Sequence, residues 1–230
     1  MGFIMFSQID EVDFCDHCYL SVGDKCFYHG EYTPRRGFSY SETNNLIFNL
    51  KKDMSRKETP EWRYKEEAIE KCAKLIRDSF PSNLLLETTF VPAPPSKMKN
   101  DPGYDDRLIQ ILRRVNPGGE SLDIRELIVQ VAPRTSMHME NRRYTPTDLQ
   151  EKYHLDTTLF YQSPFKNFVI FDDVLTNGTH FRAMSDMLKE CRKDITVEGI
   201  FIAKVCRNNN ILDGFYPVTA PAATPSSDSW

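Results

Sequence analysis

The stretch Phe168-Val169-Ile170-Phe171-Asp172-Asp173-Val174-Leu175-Thr176-Asn177-Gly178-Thr179-His180 sets two carboxylates and a hydroxyl-rich glycine turn directly behind an apolar run. The run predicts a buried strand, and Phe181, Met184, Leu188 and Cys191 beyond it predict an amphipathic helix. The turn therefore lies past the carboxyl end of a strand, where open α/β sheets bind ligands. It also lies at a helix N-terminus, whose free N–H groups and positive dipole end suit a phosphate. A phosphate fits Thr176, Asn177, Gly178, Thr179 and His180. Asp172 and Asp173 stand one step earlier, where they cannot serve the phosphate but can accept hydrogen bonds from sugar hydroxyls. Together these groups describe a sugar phosphate. A helix cap with two surface acids is the plainer alternative, but capping requires neither Asp172 nor so apolar a strand. Two acids after a strand also occur on the magnesium side of P-loop enzymes. No glycine-rich loop ending in Gly-Lys-Ser or Gly-Lys-Thr exists here, and the three-glycine nicotinamide fingerprint and the Pro-Cys-x-x-Cys deaminase element are also missing.

A second cluster lies near the N-terminus. Cys15-x2-Cys18-x7-Cys26-x2-His29 supplies three thiolates and one imidazole, the donor set of a closed structural zinc site, with His17 a rival to His29. Reduced, unliganded cysteines in a small core are the alternative. Cys72, Cys191 and Cys206 are scattered and read as core residues.

The elements that must position these groups alternate along the chain. Residues 1–57 are expected to form a small zinc-finger-like module, whose later part, residues 27–52, is able to serve as a hood. Thr59-Pro60 offers an N-cap and a first-turn proline ahead of a helix carrying Trp62, Ile69, Cys72, Ile76 and Phe80, stopped by Pro81. A strand is expected over residues 84–91, ended by Pro92, Pro94 and Pro95. Asp101-Pro102-Gly103 opens a helix with Leu108, Ile111, Leu112 and Val115, and a second strand follows over residues 127–131. An Arg-rich segment, residues 134–144, precedes a short helix begun by Thr145-Pro146. The third strand is the apolar run above, and the fourth covers residues 197–205 with Gly199 inside it. Alternating β and α elements predict an α/β fold with a mostly parallel sheet flanked by helices over residues 58–212. Residues 213–230, rich in Pro, Ala, Thr and Ser, are expected to be disordered.

Composition narrows the class. Of 230 residues, 40% are hydrophobic and 27% charged, enough apolar side chain for a real core. A net charge of −4 excludes a bulk basic field for polyanions, though not a local patch. No run is long enough to span a membrane, and no basic residue precedes the apolar start, so the cytoplasm is the expected compartment.

Residues 172–179 resemble the phosphoribosyl pyrophosphate (PRPP) motif of type I phosphoribosyltransferases, in which an apolar strand leads into two acids and a Thr/Gly phosphate loop. Phe90-Val91-Pro92-Ala93-Pro94 with Gly103-Tyr104 is similar to the valine-proline strand end and glycine-aromatic element of the competence protein F (ComF) subgroup. Arg134-Thr135, Arg142-Arg143 and Lys51-Lys52 resemble that subgroup's basic positions, and the N-terminal cluster its four-cysteine zinc finger. His180 stands where threonine is common, and His29 replaces a cysteine.

The resemblance implies a type I phosphoribosyltransferase-like fold with structural zinc on Cys15, Cys18, Cys26 and His29. PRPP would set its 5-phosphate on residues 176–179, with His180 as an added donor, and its ribose hydroxyls on Asp172 and Asp173. Magnesium would arrive largely with PRPP. Pyrophosphate would face Ser96, Lys97 and Lys99, with Arg134, Arg142 and Arg143 on a flap. The implied activity is displacement of pyrophosphate by a nitrogenous acceptor. The alternative is a non-catalytic PRPP or nucleotide-binding module in a bacterial DNA-uptake or phage-defence system, with protein or nucleic-acid partners.

Overall fold

A computed structural model describes residues 5–132 and 144–206. Arg134, Thr135, Arg142, Arg143 and the expected tail lie outside them. Eight strands are described: β1 (Ser7–Gln8), β2 (Cys26–Tyr32), β3 (Thr89–Pro92), β4 (Asp123–Ile124), β5 (Ile128–Gln130), β6 (Tyr153–Leu155), β7 (Asn167–Leu175) and β8 (Thr196–Val205). The helices are α1 (Glu42–Leu50), α2 (Arg63–Ser79), α3 (Ser82–Leu86), α4 (Arg107–Val115), α5 (Pro146–Gln150), α6 (Thr157–Tyr161) and α7 (Thr179–Cys191).

One six-stranded sheet runs β1-β2-β8-β7-β3-β4 and is parallel throughout except at β1. The central strands β7 and β8 are apolar on both faces because helices flank the sheet, which is why they read as continuous hydrophobic runs. Gly199 lies where β8 is most crowded. A Cβ there would stand 2.7 Å from the Phe201 ring, 3.0 Å from Cys26 Sγ and 3.1 Å from the Phe181 ring. The buried face of α2 packs on α4 and α1, and α5 packs on α7. No helix among the described residues is long and apolar enough to cross a membrane.

Four sequence expectations change. The segment expected as a separate N-terminal module supplies β2 to the main sheet, hydrogen-bonded in parallel to β8, and Phe6, Ile9, Leu20, Leu46 and Leu50 join the common core. Leu84 lies in α3, not in a strand: three successive leucines favour helix, and β3 begins only at Thr89. The helix expected at Asp101 begins at Arg107, because the Asp101 carboxylate accepts from Gly103 N at 2.7 Å and closes a turn instead. The strand near residue 128 leaves the main sheet and pairs antiparallel with β6, while β4 takes the place beside β3. Ile128 and Gln130 are buried and Val129 less so, the alternation of a ribbon with one covered face.

Candidate functional site

The chain leaves β3 toward β4 on one side and β7 toward β8 on the other, so the β3/β7 pair is the point where strand order diverges. A cleft of about 1310 Å³ opens beyond the carboxyl ends of these two strands. Crevices of this kind form because loops from diverging neighbours separate there. Residues 172–180 line it, as do Ser96, Lys97 and Lys99 and residues 33–36.

The turn after β7 has the local form expected of an anion cradle. Gly178 takes φ +85°, a left-handed conformation that strains residues bearing a Cβ, and α7 begins at the next residue. Asn177 Oδ1 accepts from Thr179 Oγ1 at 2.6 Å, from Thr179 N at 3.3 Å and from Thr176 Oγ1 at 3.2 Å, so the turn is braced by its own amide side chain. The main-chain N–H groups of Thr176, Asn177 and Gly178 have no partner among the described residues. Consecutive unpaired amides at a helix start form a site for negative charge.

Beneath the cleft lies a chain of charges: Lys51, Asp173, Arg107, Asp105 and Lys65. Asp173 is 3% exposed. Its Oδ2 accepts from Arg107 Nε at 2.9 Å and Nη2 at 2.5 Å, and its Oδ1 lies 3.0 Å from Lys51 Nζ. Burial alone would raise this carboxyl's pKa, but the charges of Lys51 and Arg107 outweigh it and hold the group well below the usual carboxylate range. Arg107 Nη1 reaches Asp105 at 2.7 Å, and the fully buried Lys65 donates to the same Asp105 Oδ2 at 2.7 Å and to the carbonyls of Leu50 and Lys52. Three cations meet two acids in this chain of contacts, and Asp172 beside Asp173 brings a third carboxylate to the same cleft.

Asp172 is differently engaged. Its Oδ1 accepts from Asp173 N at 2.8 Å, and its Oδ2 lies 3.1 Å from His180 Nδ1. His180 therefore braces Asp172. Lys99 pairs with Glu126 at 2.8 Å and Lys97 with Asp101 at 3.6 Å, both exposed, while Ser96 presents its carbonyl to Gln130 Nε2 at 2.8 Å. Tyr104 Oη donates to Glu126 at 3.3 Å, and burial first and Glu126 second push its pKa up to about 12.

The candidate ligands Cys15, Cys18, Cys26 and His29 are distributed over a short 3-10 helix, the turn after it and β2. Among the described residues no three His, Cys, Asp or Glu side chains are placed to hold one. Cys15 and Cys18 are exposed, whereas Cys26 is fully buried on β2 against the Gly199 stretch of β8, with its thiol pKa pushed far up by that burial. His29 Nδ1 donates to the Met5 carbonyl at 2.9 Å.

Residues between the cysteines buttress the anion turn. His17, fully buried, donates from Nδ1 to the Thr176 carbonyl, and its Nε2 has no partner among the described residues. Burial lowers its pKa although the Thr176 carbonyl favours the proton. Tyr19 N donates to the Asn177 carbonyl at 3.0 Å, and a Cβ on Gly178 would stand 3.1 Å from Leu20 Cδ2. Arg182 on α7 completes the clasp through Tyr19 O at 3.1 Å and the Asp24 carboxylate.

Sequence reasoning missed Arg107, Asp105 and Lys65. Lys65 carried a signal, since it falls on the same helical face as Ala68, Ile69, Cys72 and Ile76, where an unpaired cation would be costly. No protein-family model matches the chain, and no curated protein is detectably similar to it.

Proposed function

We propose that the cleft binds PRPP and that the chain is a PRPP-dependent phosphoribosyltransferase of type I-like fold. The observation that carries this reading is the trio of amides at Thr176, Asn177 and Gly178 without partners among the described residues, directly after the two acids and beside the Lys51 and Arg107 cations. The 5-phosphate sits on that turn, and pyrophosphate lies toward residues 96–99 and the Lys51 and Arg107 cations. In the transfer, an acceptor nitrogen forms a bond to the anomeric carbon as the carbon–oxygen bond to pyrophosphate breaks. Pyrophosphate leaves with the bonding pair and the acceptor nitrogen sheds its proton. Positive charge grows on the ribose ring and negative charge on the leaving group, so fixed charges around both supply the stabilisation. Magnesium, were it brought with PRPP, would supply charge neutralisation at the leaving group.

A binding module without transfer is the second reading, and one observation favours it. Asp173 is buried and its oxygens are taken by Arg107 and Lys51, so of the two acids only Asp172, whose oxygens each have one protein partner and accepting capacity left, is placed to meet a ribose hydroxyl. Calorimetry with PRPP and magnesium tests the site: wild-type protein binds, and Asp172→Asn with Thr179→Val weakens binding at least tenfold while the far-ultraviolet spectrum is retained. Unchanged binding refutes the assignment. Pyrophosphate release on adding nitrogenous bases then selects the enzyme, and its absence across them selects the module.

A further inference from the structure

Three aromatic rings stand exposed beside the segment that enters the cleft: Phe38 at 53%, Phe48 at 55% and Tyr64 at 40%. They form one patch. The Phe38 and Phe48 rings are 5.5 Å apart, and Lys52 Nζ stands between Phe48, at 5.5 Å, and Tyr64, at 5.8 Å. Arg63 lies 4.7 Å from the Tyr64 ring, and its Nη2 donates to the Tyr64 hydroxyl at 2.8 Å. Arg36 stands 5.6 Å from the ring of Tyr40, which is also exposed. Asp53, beside Lys52 in the chain, turns its carboxylate to Ser55 N at 2.8 Å.

We propose that this patch binds single-stranded nucleic acid. Exposed rings and cations adjoin along it, with Lys52 between Phe48 and Tyr64 and Arg63 beside Tyr64, and a single strand offers bases and phosphates side by side. Stacking on exposed rings and pairing with cations are the two contacts by which such strands are held without sequence readout. An acidic protein surface would use the cations but leave the rings in water. A duplex hides its base faces and could use only the cations. The chain's net charge is −4, so this positive character is local and the patch is distinguished from the rest of the surface. One end leads into the cleft, since Arg35 and Arg36 line it and Lys51, next to Lys52, reaches Asp173. The proposal stands independently of what the cleft itself binds.

Fluorescence anisotropy of the full chain with labelled oligo(dT) and oligo(U) of about 20 nucleotides, enough to cover such a site, tests it. Both strands, or one of them, bind at low salt, and a preference between them tells DNA from RNA. With Arg36, Lys52 and Arg63 on phosphates, affinity falls about 20-fold between roughly 50 and 200 mM salt. Phe48→Ala with Tyr64→Ala weakens binding at least about tenfold, and Phe48→Trp with Tyr64→Phe restores it. The idea is overturned by no binding of either strand at low salt, by equal binding of a duplex, or by polyglutamate binding that shows the same dependence on the two rings.

Discussion

Replacing Asp173 by Asn tests the buried charge chain directly. The substitution keeps the side chain's shape and removes the charge that Arg107 Nε and Nη2 meet at 2.9 and 2.5 Å and Lys51 Nζ at 3.0 Å. Breaking one partner of a buried ion pair costs about 3–5 kcal/mol. The lower end applies here, because the Lys51 side chain is 44% exposed and can turn to water, and Arg107 keeps Asp105. A loss of about 3 kcal/mol lowers the melting temperature by about 6–12 °C in a chain of this length. The pH dependence follows from the same pairing. The folded-state pKa of Asp173 lies below its unfolded value, so the stability it contributes is present above about pH 4, the unfolded pKa, and is lost as pH falls toward the folded one. Wild type therefore has a steeper acid limb than Asp173→Asn, and the two curves converge at low pH. Urea unfolding between neutral and acid pH measures both. A double change, Asp173→Asn with Arg107→Gln, costs less than the sum of its parts. An Asn variant within about 1 kcal/mol of wild type at neutral pH, or with an unchanged acid limb, would refute the reasoning.

Gly178→Ala forces a Cβ into a left-handed conformation and to within 3.2 Å of Leu20 Cγ, so it lowers stability by about 1–2 kcal/mol, read by thermal melting. Lys65→Met leaves the Leu50 and Lys52 carbonyls and the Asp105 carboxylate without their ammonium partner and costs about 3 kcal/mol in urea unfolding, despite the apolar surroundings. In the native protein a thiol reagent modifies Cys15 and Cys18 fast, whereas Cys26 and Cys72 react only on unfolding, since burial withdraws both and pushes the Cys72 pKa up to about 12. Mass spectrometry of timed samples identifies the sites.

Much of the architecture was legible because it rests on local chemistry. The apolar run before Asp172 demanded a covered strand, the turn of Thr, Asn and Gly demanded a bend that ends at a helix, and Thr145-Pro146 demanded a cap, which forms as a reciprocal pair between Thr145 and Asp148. These are neighbours in the chain, so spacing alone reports them. The partners of Asp173 were not legible in the same way. Arg107 is 66 positions away, and nothing in its own surroundings marks it as the counter-charge of a buried acid. Nor does the spacing of Cys15, Cys18, Cys26 and His29 reveal that one thiol is buried on a sheet strand while two are exposed.

Residue order alone determined that a strand, two acids and an anion-suited bend occur together, because backbone hydrogen bonding and side-chain periodicity act over a few positions. Only the tertiary structure decided which charges meet those acids, and that the cysteine-rich segment lies under the bend through His17, Tyr19 and Leu20. Both outcomes depend on Coulomb pairing and close packing between segments brought together by the sheet, and those contacts leave no periodic trace in the chain.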